Sequence, residues 1–470
     1  MIGALVWVGA IAVPPLLVVA LGRLGLALER LRAVAAACAA ACLLTCAAVF
    51  ASPALGALHV AWPFAAPPLL GSSLFRVSVF STYLLPLPSA LWLVSVAVTP
   101  RSRLDAAGLQ RTAGATLSAT LAFLTESPAL LLVFWTISNL LLVGALSRSE
   151  HRHARRVSGA YLWPSVALLA CGIALAFGGS TGLPRTVGLW LVIGAVLVRK
   201  GIFPFHAWIP EVFDTGRMGP IIRFSAPQLG AYVAVVLVVP YATPGMLRAL
   251  AILSLLTAVY GAALAFVQRD GRRACGYLFV SQSALVLAGL DCTAPQALAG
   301  SLVVWLSSAL AFTGLTRTVL ALEVRRGRLD LTRYHGGYEQ MRPLAVSFLI
   351  LGLACTGFPG TLGFVGEEML IKGAVEEFPA LGFFVVAAAA LTGLAVLRMY
   401  FSLFCGTRTT PLPQALLRRE VLAFGTVTAL LVLGGLLPRA VVASRLAASH
   451  ALLGDRAAVQ ARGCPLPPCR

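Results

Sequence analysis

Two adjacent cations and a proline lie well inside one apolar segment of this sequence. Arg199 and Lys200 come late in an apolar run that begins near Thr186, and Pro204 follows them. A charge at bilayer depth costs at least about 2.5 kcal/mol, so such residues usually face the bundle interior or water. Because proline has no amide hydrogen, it interrupts the helix, and interrupted helices at this depth line protein-enclosed cavities. The segment therefore predicts a broken helix beside a polar cavity. The alternative is a helix that ends near Val198, with both cations at the interface.

Composition indicates that most of the chain lies in a bilayer. Of its 470 residues, 59% are hydrophobic and 11% are charged, and most fall into apolar runs long enough to cross a membrane. The net charge of +19 does not indicate nucleic-acid binding, because the arginines fall in short loops between these runs. No phosphate-binding loop or dinucleotide fingerprint occurs, so we expect no nucleotide cofactor. The predicted fold class is an all-α polytopic membrane protein.

Fourteen apolar segments are candidate transmembrane helices. Arginine clusters follow five of the odd-numbered segments, at residues 23–32, 101–103, 148–156, 269–273 and 325–328. Under the positive-inside rule, this alternation predicts that both termini lie on the non-cytoplasmic side. Pro14 and Pro15, with no small-residue cleavage site, favour plain insertion of the first segment over a signal segment. The fourteen segments are 2–22, 33–51, 78–99, 109–125, 128–147, 159–178, 186–208, 220–240, 247–268, 273–290, 295–316, 343–359, 380–404 and 420–446.

The cysteines do not predict a metal site or a disulfide framework. Cys38, Cys42 and Cys46 recur every four residues and so share one helical face. In an alanine-rich segment this pattern favours close helix packing by small residues over a set of metal ligands. Cys464 and Cys469 lie in a proline-rich tail, which we expect to be mobile. We therefore expect no bound metal.

Four motifs resemble those of the antiporter-like membrane subunits of respiratory complex I. Relatives of these subunits include multisubunit cation/proton antiporters, membrane-bound hydrogenases and inorganic-carbon pumps. The motifs are FPFHAWIP at 203–210, QRDGRR with Tyr277 and Ser281-Gln282 at 268–282, GFPG with GFVGE at 357–367, and LRMYF at 397–401. The resemblance covers roughly residues 123–406, and the motifs follow the order of the family.

The resemblance implies two inverted five-helix repeats, each containing one broken helix. The expected breaks lie at residues 201–204 and within 387–393. The implied organisation is N-terminal helices at 1–108, a first repeat at 109–240, a second repeat at 247–406, a C-terminal helix at 407–450 and a mobile tail at 451–470.

In that family, a proton or sodium ion is expected to move along a midplane line of ionisable residues. The positions in this chain that match the line are Thr136, Arg199, Lys200, Arg223, Gln228, Ser307 and Thr392. Thr136 replaces a glutamate of the family. Arg199 takes the place of a lysine, and arginine cannot release a proton at accessible pH. The resemblance therefore implies a path that departs from that of the family, with Arg199 as a static charge. The matching broken-helix motif contributes Pro204, His206, Trp208 and Pro210.

One further group of polar residues has two competing interpretations, and two single residues have one interpretation each. Glu367, Glu368 and Lys372 form either a cation entrance or a solvated amphipathic segment. Glu126 precedes Pro128 between two spans and is interpreted as a loop residue. His206 is expected to satisfy a backbone group in the broken helix and not to bind a metal.

Two functions remain open from the sequence. The first is an ion-translocating subunit, with a catalytic centre and any redox cofactor belonging to partner subunits. The second is a degenerate scaffold that anchors a partner, for example one that handles inorganic carbon. Both readings imply other membrane subunits as partners and a location in the cytoplasmic (inner) membrane.

Overall fold

The structure is a computed structural model that describes residues 2–51, 59–62, 67–71, 73–147, 149–179, 182–377, 379–406 and 416–462. In these residues the chain is almost wholly helical, with one antiparallel hairpin, β1 (His59–Ala61) and β2 (Ser73–Arg76). The helices are α1 (Ile2–Arg23), α2 (Leu28–Ala51), α3 (Val79–Thr82), α4 (Pro86–Val98), α5 (Ala106–Ala122), α6 (Pro128–Ala145), α7 (Arg152–Phe177), α8 (Leu183–Lys200), α9 (Trp208–Thr215), α10 (Met218–Ser225), α11 (Leu229–Leu237), α12 (Pro244–Val267), α13 (Gly271–Leu290), α14 (Pro295–Arg326), α15 (Arg342–Ala354), α16 (Leu362–Glu377), α17 (Pro379–Phe404), α18 (Arg418–Leu436) and α19 (Arg439–Arg462).

Eleven helical segments of the described chain are long and apolar enough to cross a membrane. The protein is therefore a multi-pass, all-α membrane protein, as predicted. Three of the fourteen predicted spans are not among the eleven, and each has a physical reason. Helix α5 has only 17 residues, α8 includes three cations, and α15 ends after 13 residues.

The first interruption of a helix lies where the sequence predicts it. Helix α8 ends at Lys200, and α9 begins at Trp208. Gly201 closes α8 with a φ of 66°, a left-handed conformation that favours glycine. The indole N–H of Trp208 donates to the Val198 carbonyl over 2.9 Å, so a carbonyl freed at the end of α8 is satisfied. Pro210 packs tightly against Gly276 of α13.

The second interruption lies between α15 and α16, at residues 355–361. Gly357 and Gly360 adopt φ values of 63° and 88° there. The predicted break at 387–393 is wrong, because α17 continues through it from Pro379 to Phe404. That stretch is rich in alanine and contains no proline, so nothing in it opposes a continuous helix.

Close backbone packing holds α14 against α16. A Cβ atom at Gly366 of α16 would lie 2.8 Å from the Val304 amide nitrogen of α14, and one at Gly300 of α14 would lie 2.8 Å from the Gly366 carbonyl oxygen. Helices in a bilayer associate through such small residues, because lipid provides no hydrophobic driving force between them. Cys42 of α2 also packs as expected, and it accepts a hydrogen bond from Ser89 at 3.1 Å.

Helix α19 extends beyond the predicted C-terminal helix at 407–450. Residues 451–462, expected to begin a mobile tail, continue α19 to Arg462. The Arg445 guanidinium of α19 lies over the Tyr83 ring at 4.1 Å, which fastens the helix to the start of the third predicted span. Cys464 and Cys469 lie outside the described residues, as does Arg148 of the predicted cytoplasmic cluster.

Candidate ion pathway

Arg199 is buried and faces α6. Its Nη1 donates to the Asn139 Oδ1 at 2.6 Å, and its Nη2 donates to the Ser138 hydroxyl at 2.7 Å. The guanidinium also lies 4.4 Å from the Trp135 ring centre and 4.3 Å from that of Phe224, where cation–π attraction stabilises it. Within the described residues, no carboxylate pairs with Arg199. The contacts of the Arg199 guanidinium described here are therefore all with uncharged groups: an amide, a hydroxyl and two aromatic rings.

Lys200 faces a different side of α8 and contacts the junction between α10 and α11. One residue along a helix rotates a side chain by about 100°, and the Lys200 Nζ donates to the Gln228 Oε1 at 2.9 Å. The Gln228 amide then donates to the Ser308 hydroxyl of α14 at 3.4 Å. Gln228 has a φ of 53° and separates α10 from α11. A buried chain of polar groups therefore leads from the first interruption to α14.

Three of the predicted path residues, Thr136, Ser307 and Thr392, do not contact Lys200, Gln228 or Ser308 through the hydrogen bonds of their side chains. Thr136 donates its hydroxyl to the Leu132 carbonyl of its own helix at 2.8 Å, and Ser307 bonds similarly to Val304 at 3.1 Å. The hydroxyl of Thr392 lies 3.5 Å from that of Ser281, which links α17 to α13. None of these three contacts extends the row of hydrogen bonds that runs from Lys200 through Gln228 to Ser308. Arg223 lies apart from that chain, in a polar cavity described below.

Glu367 is separated from the two charged residues with which the sequence groups it. Its side chain is 5% exposed, and its carboxylate occupies the space that a side chain at Gly357 would need. Glu368 and Lys372 point outward and form an ion pair at 3.3 Å, with 46% and 61% of their side chains exposed. Glu367 therefore places a buried titratable group at the second interruption, and the other two form a solvated helical pair.

The broken-helix motif has one unexpected feature. Nδ1 of His206 is buried and has no hydrogen-bond partner among the described residues, so this atom does not form the expected bond to a backbone group there. The imidazole instead packs against the rings of Phe203 and Tyr260, with ring centres 5.8 and 5.1 Å away. Pro204 is exposed at the same bend.

The QRDGRR motif begins α13 at the arginine-rich face. The Asp270 carboxylate accepts the amides of Arg272 and Arg273 at 2.9 and 3.2 Å, which caps the helix. Burial raises the pKa of Asp270, and these two amide donors oppose the rise. Arg328 bonds to both Asp270 and Asp214, so the motif fastens the ends of α9, α13 and α14 together.

Sequence reasoning missed Ser138, Asn139 and Ser308. A usable signal is present for the first two, because Thr136, Ser138 and Asn139 are clustered in an otherwise apolar helix. Polar side chains in such a helix usually face other helices. No comparable signal distinguishes Ser308 from Ser307, since both lie in a helix that is buried on nearly all sides.

The described chain contains two interrupted membrane helices with a buried titratable residue at each interruption. Interrupted helices of this kind are typical of membrane ion transporters. The family described as the NADH:quinone oxidoreductase/Mrp antiporter membrane region matches residues 182–392. These residues contain both interruptions, and the match confirms the resemblance predicted from the motifs.

Curated relatives support the same assignment. NADH-quinone oxidoreductase subunit 13 of Thermus thermophilus is 29% identical over 230 residues, covering 47% of this chain and 49% of the relative. Subunit N of the corresponding enzyme of Beutenbergia cavernae is 31% identical over 242 residues, covering 45% of each chain. The matched region thus spans about half the length of these relatives.

Solved structures share the fold over nearly the whole chain. A chain of the Mrp complex of Dietzia sp. has a TM-score of 0.87 and 19% identity, covering 98% of this chain and 99% of that one. A chain of respiratory complex I from Thermus thermophilus has a TM-score of 0.84 and 19% identity, covering 96% and 99%. At this identity the similarity establishes the fold.

Proposed function

We propose that this protein is an antiporter-like subunit of a larger complex in the cytoplasmic (inner) membrane and that it translocates protons or cations. The observation that carries the proposal is one buried titratable residue at each helix interruption: Lys200 at the first and Glu367 at the second. Buried ionisable groups inside a membrane are costly, and they mark ion or proton pathways.

Lys200 supplies the proton-exchanging group of the first half in this proposal. An ammonium can release a proton when it is desolvated, whereas a guanidinium cannot. The amide of Gln228 and the hydroxyl of Ser308 continue from Lys200 towards α14. Internal water between α14 and Glu367 would complete the connection. Arg199 acts as a fixed positive charge beside Lys200.

The two halves of the pathway correspond to two proposed repeats. Helices α5 to α11 and α12 to α17 each form five membrane crossings, and the fourth crossing of each set is interrupted, as α8–α9 and as α15–α16. The proposed boundaries 109–240 and 247–406 follow these sets.

The relatives of this protein indicate which kind of partner it binds. The relatives are named as subunits of NADH-quinone oxidoreductases, and similar chains occur in Mrp and sulfane sulfur reductase complexes. We therefore propose that neighbouring membrane subunits bind this chain and that any redox chemistry lies in them. The alternative of a degenerate scaffold is less favoured, because a scaffold does not require buried Lys200 and Glu367.

The two lysines of the chain provide a matched test of the proposal. Lys200 is 3% exposed, whereas the Lys372 side chain is 61% exposed. In proteoliposomes containing the purified complex and a pH-sensitive dye, we expect Lys200→Met to lower the initial rate of proton uptake at least about tenfold. Lys372→Met should retain the parental rate. Equal rates for both variants and the parent would show that Lys200 is not on the path.

A further inference from the structure

A cavity of about 60 Å³ on the arginine-rich side of the bundle is strongly positive. It lies between α4, α5, α10 and α14. Among its lining residues, Asp105 is the single carboxylate. The basic lining residues are Arg103, Arg111, Arg217, Arg223 and Arg317.

Two nearby carboxylates balance only part of this positive charge. Asp105 lies 3.5 Å from Nη1 of Arg217. Glu323 approaches Arg103 at 3.9 Å, but both of its oxygens already accept hydrogen bonds from Arg272, at 2.6 and 2.7 Å. Five arginines and two carboxylates leave a net positive charge, and Arg317 is buried. Burying charge without a counter-charge is costly, so the cavity favours an additional negative group.

Arg223 and Arg317 converge on one point of the cavity wall. A Cβ atom at Gly219 would lie 3.7 Å from Nη1 of Arg223 and 3.9 Å from Nη1 of Arg317. Arg317 is 1% exposed, and among the described residues it donates only to the hydroxyls of Ser95 and Thr99, at 2.9 and 3.5 Å. Within the described residues, Arg223 has no hydrogen bond or ion pair. Two guanidiniums therefore share a space without an acceptor of matching charge.

We propose that this cavity binds a small inorganic anion, of the size of chloride or bicarbonate, between Arg223 and Arg317. A single water needs about 10–15 Å³ of such volume, so the cavity can hold an anion together with one or more waters. Charge-assisted hydrogen bonds from guanidinium groups are well suited to this ligand class. The inference concerns binding alone and does not depend on ion translocation by the chain.

A second, smaller cavity connects this site with the first helix interruption. It has a volume of about 30 Å³ and shares Arg111, Pro220 and Arg223 with the first cavity. It also reaches Ser138, whose hydroxyl accepts a hydrogen bond from Arg199. An anion beside Arg223 would therefore place negative charge on the approach to Arg199, where the described residues provide no carboxylate.

The binding test uses the full chain, purified in detergent with sodium gluconate, at constant ionic strength. Chloride or bicarbonate replaces gluconate in steps while the unfolding temperature is measured. A ligand that binds the folded state raises this temperature along a saturating curve. We expect such a curve for at least one of the two anions, and the comparison identifies which anion binds more tightly.

Two variants decide whether the cavity is responsible. Arg223→Gln should raise the half-saturating anion concentration at least about tenfold, because a charge-assisted hydrogen bond is lost. Arg333→Gln, at a side chain that is 82% exposed, should respond like the parent. A parental response of Arg223→Gln, or no saturating response of the parent to either anion, would overturn the proposal.

A direct measurement covers the case in which Arg223→Gln does not fold. Crystals of the parent grown with bromide should show an anomalous peak between Arg223 and Arg317, near Gly219. Bromide has the charge of chloride and only a slightly larger radius. A peak at this position supports the site. If the unfolding temperature responds to chloride, a map with no peak there contradicts it.

Discussion

Neighbouring residues contact different partners at both helix interruptions. Arg199 bonds to groups of α6, whereas Lys200 bonds to Gln228. Glu367 is buried, whereas Glu368 is solvated and paired with Lys372. Each contrast follows from the turn of about 100° between successive helical residues. A shift of one position along the helix is therefore enough to exchange a pathway residue for a packing or surface residue.

The two adjacent glutamates give the first prediction. Glu367→Gln keeps the size of the side chain and removes its ability to ionise, so we expect proton uptake by the reconstituted complex to fall at least about tenfold. Glu368→Gln breaks only an exposed ion pair, worth about 0–1 kcal/mol, and should leave the rate unchanged. If Glu368→Gln were the slower variant, the buried position would not be the pathway residue.

Arg199 gives the second prediction at this scale. A lysine at this position could release a proton, whereas the arginine holds its charge permanently. We expect Arg199→Lys to move protons faster than the parent in the reconstituted complex, and Arg199→Ala to move them more slowly. The unfolding temperature of each variant serves as a control, because Ala leaves the Asn139 carbonyl buried without its donor. Two inactive but folded variants would contradict the role of Arg199 as a static charge.

At the scale of elements, small residues set how closely α14 and α16 approach. A Cβ atom at Gly366 would meet the backbone of Val304, whereas one at Gly393 in α17 would meet nothing within 4 Å. We expect Gly366→Ala to destabilise the protein by about 1–3 kcal/mol through overpacking. Gly393→Ala should stabilise it by about 0.5–1 kcal/mol, because alanine favours the helix. Thermal unfolding in detergent measures both changes, and equal unfolding temperatures would show that α16 can move away.

The sequence predicted the first interruption and misplaced the second for a physical reason. At residues 201–204, cations and a proline stand inside an apolar run, and no continuous helix accommodates them easily. At residues 357–360, the glycines and proline follow an apolar run and so indicate the end of a span equally well. The distinguishing feature is length: α15 has 13 residues, whereas a membrane crossing needs about 20. The short α15 and the following α16 must therefore share one crossing.

The sequence predicted several residues of the candidate path but not the hydrogen bonds between them. Lys200 and Gln228 were both identified from the sequence, but their contact depends on the left-handed conformation of Gln228, which no local pattern indicates. Asn139 was not predicted, because the position that matches the family is Thr136, which bonds within its own helix. Contacts between helices depend on how each helix is rotated, and the sequence of one helix specifies that only in part.

At the scale of the whole molecule, charge is concentrated on one face of the bundle. The carboxylates of this face mostly pair with arginines from other helices, such as Glu420 of α18 with Arg325 of α14 at 2.6 Å. Arg272 and Arg328 make similar contacts. Arginine-rich loops usually remain in the cytoplasm, so we expect this face to be the cytoplasmic one, and the ion pairs join its helix ends.

The orientation gives the last prediction. Helix α18 begins at the arginine-rich face, where Glu420 pairs with Arg325, and it then crosses the bilayer, so α19 should begin on the opposite, non-cytoplasmic side. Alkaline phosphatase folds only outside the cytoplasm, whereas green fluorescent protein exported in unfolded form does not fluoresce there. We therefore expect an active phosphatase when it is fused at the C-terminus and an inactive one when it is fused after Arg333. Fluorescent-protein fusions at the same two positions should give the reverse result. An active phosphatase after Arg333 would show that the arginine-rich face lies outside the cytoplasm.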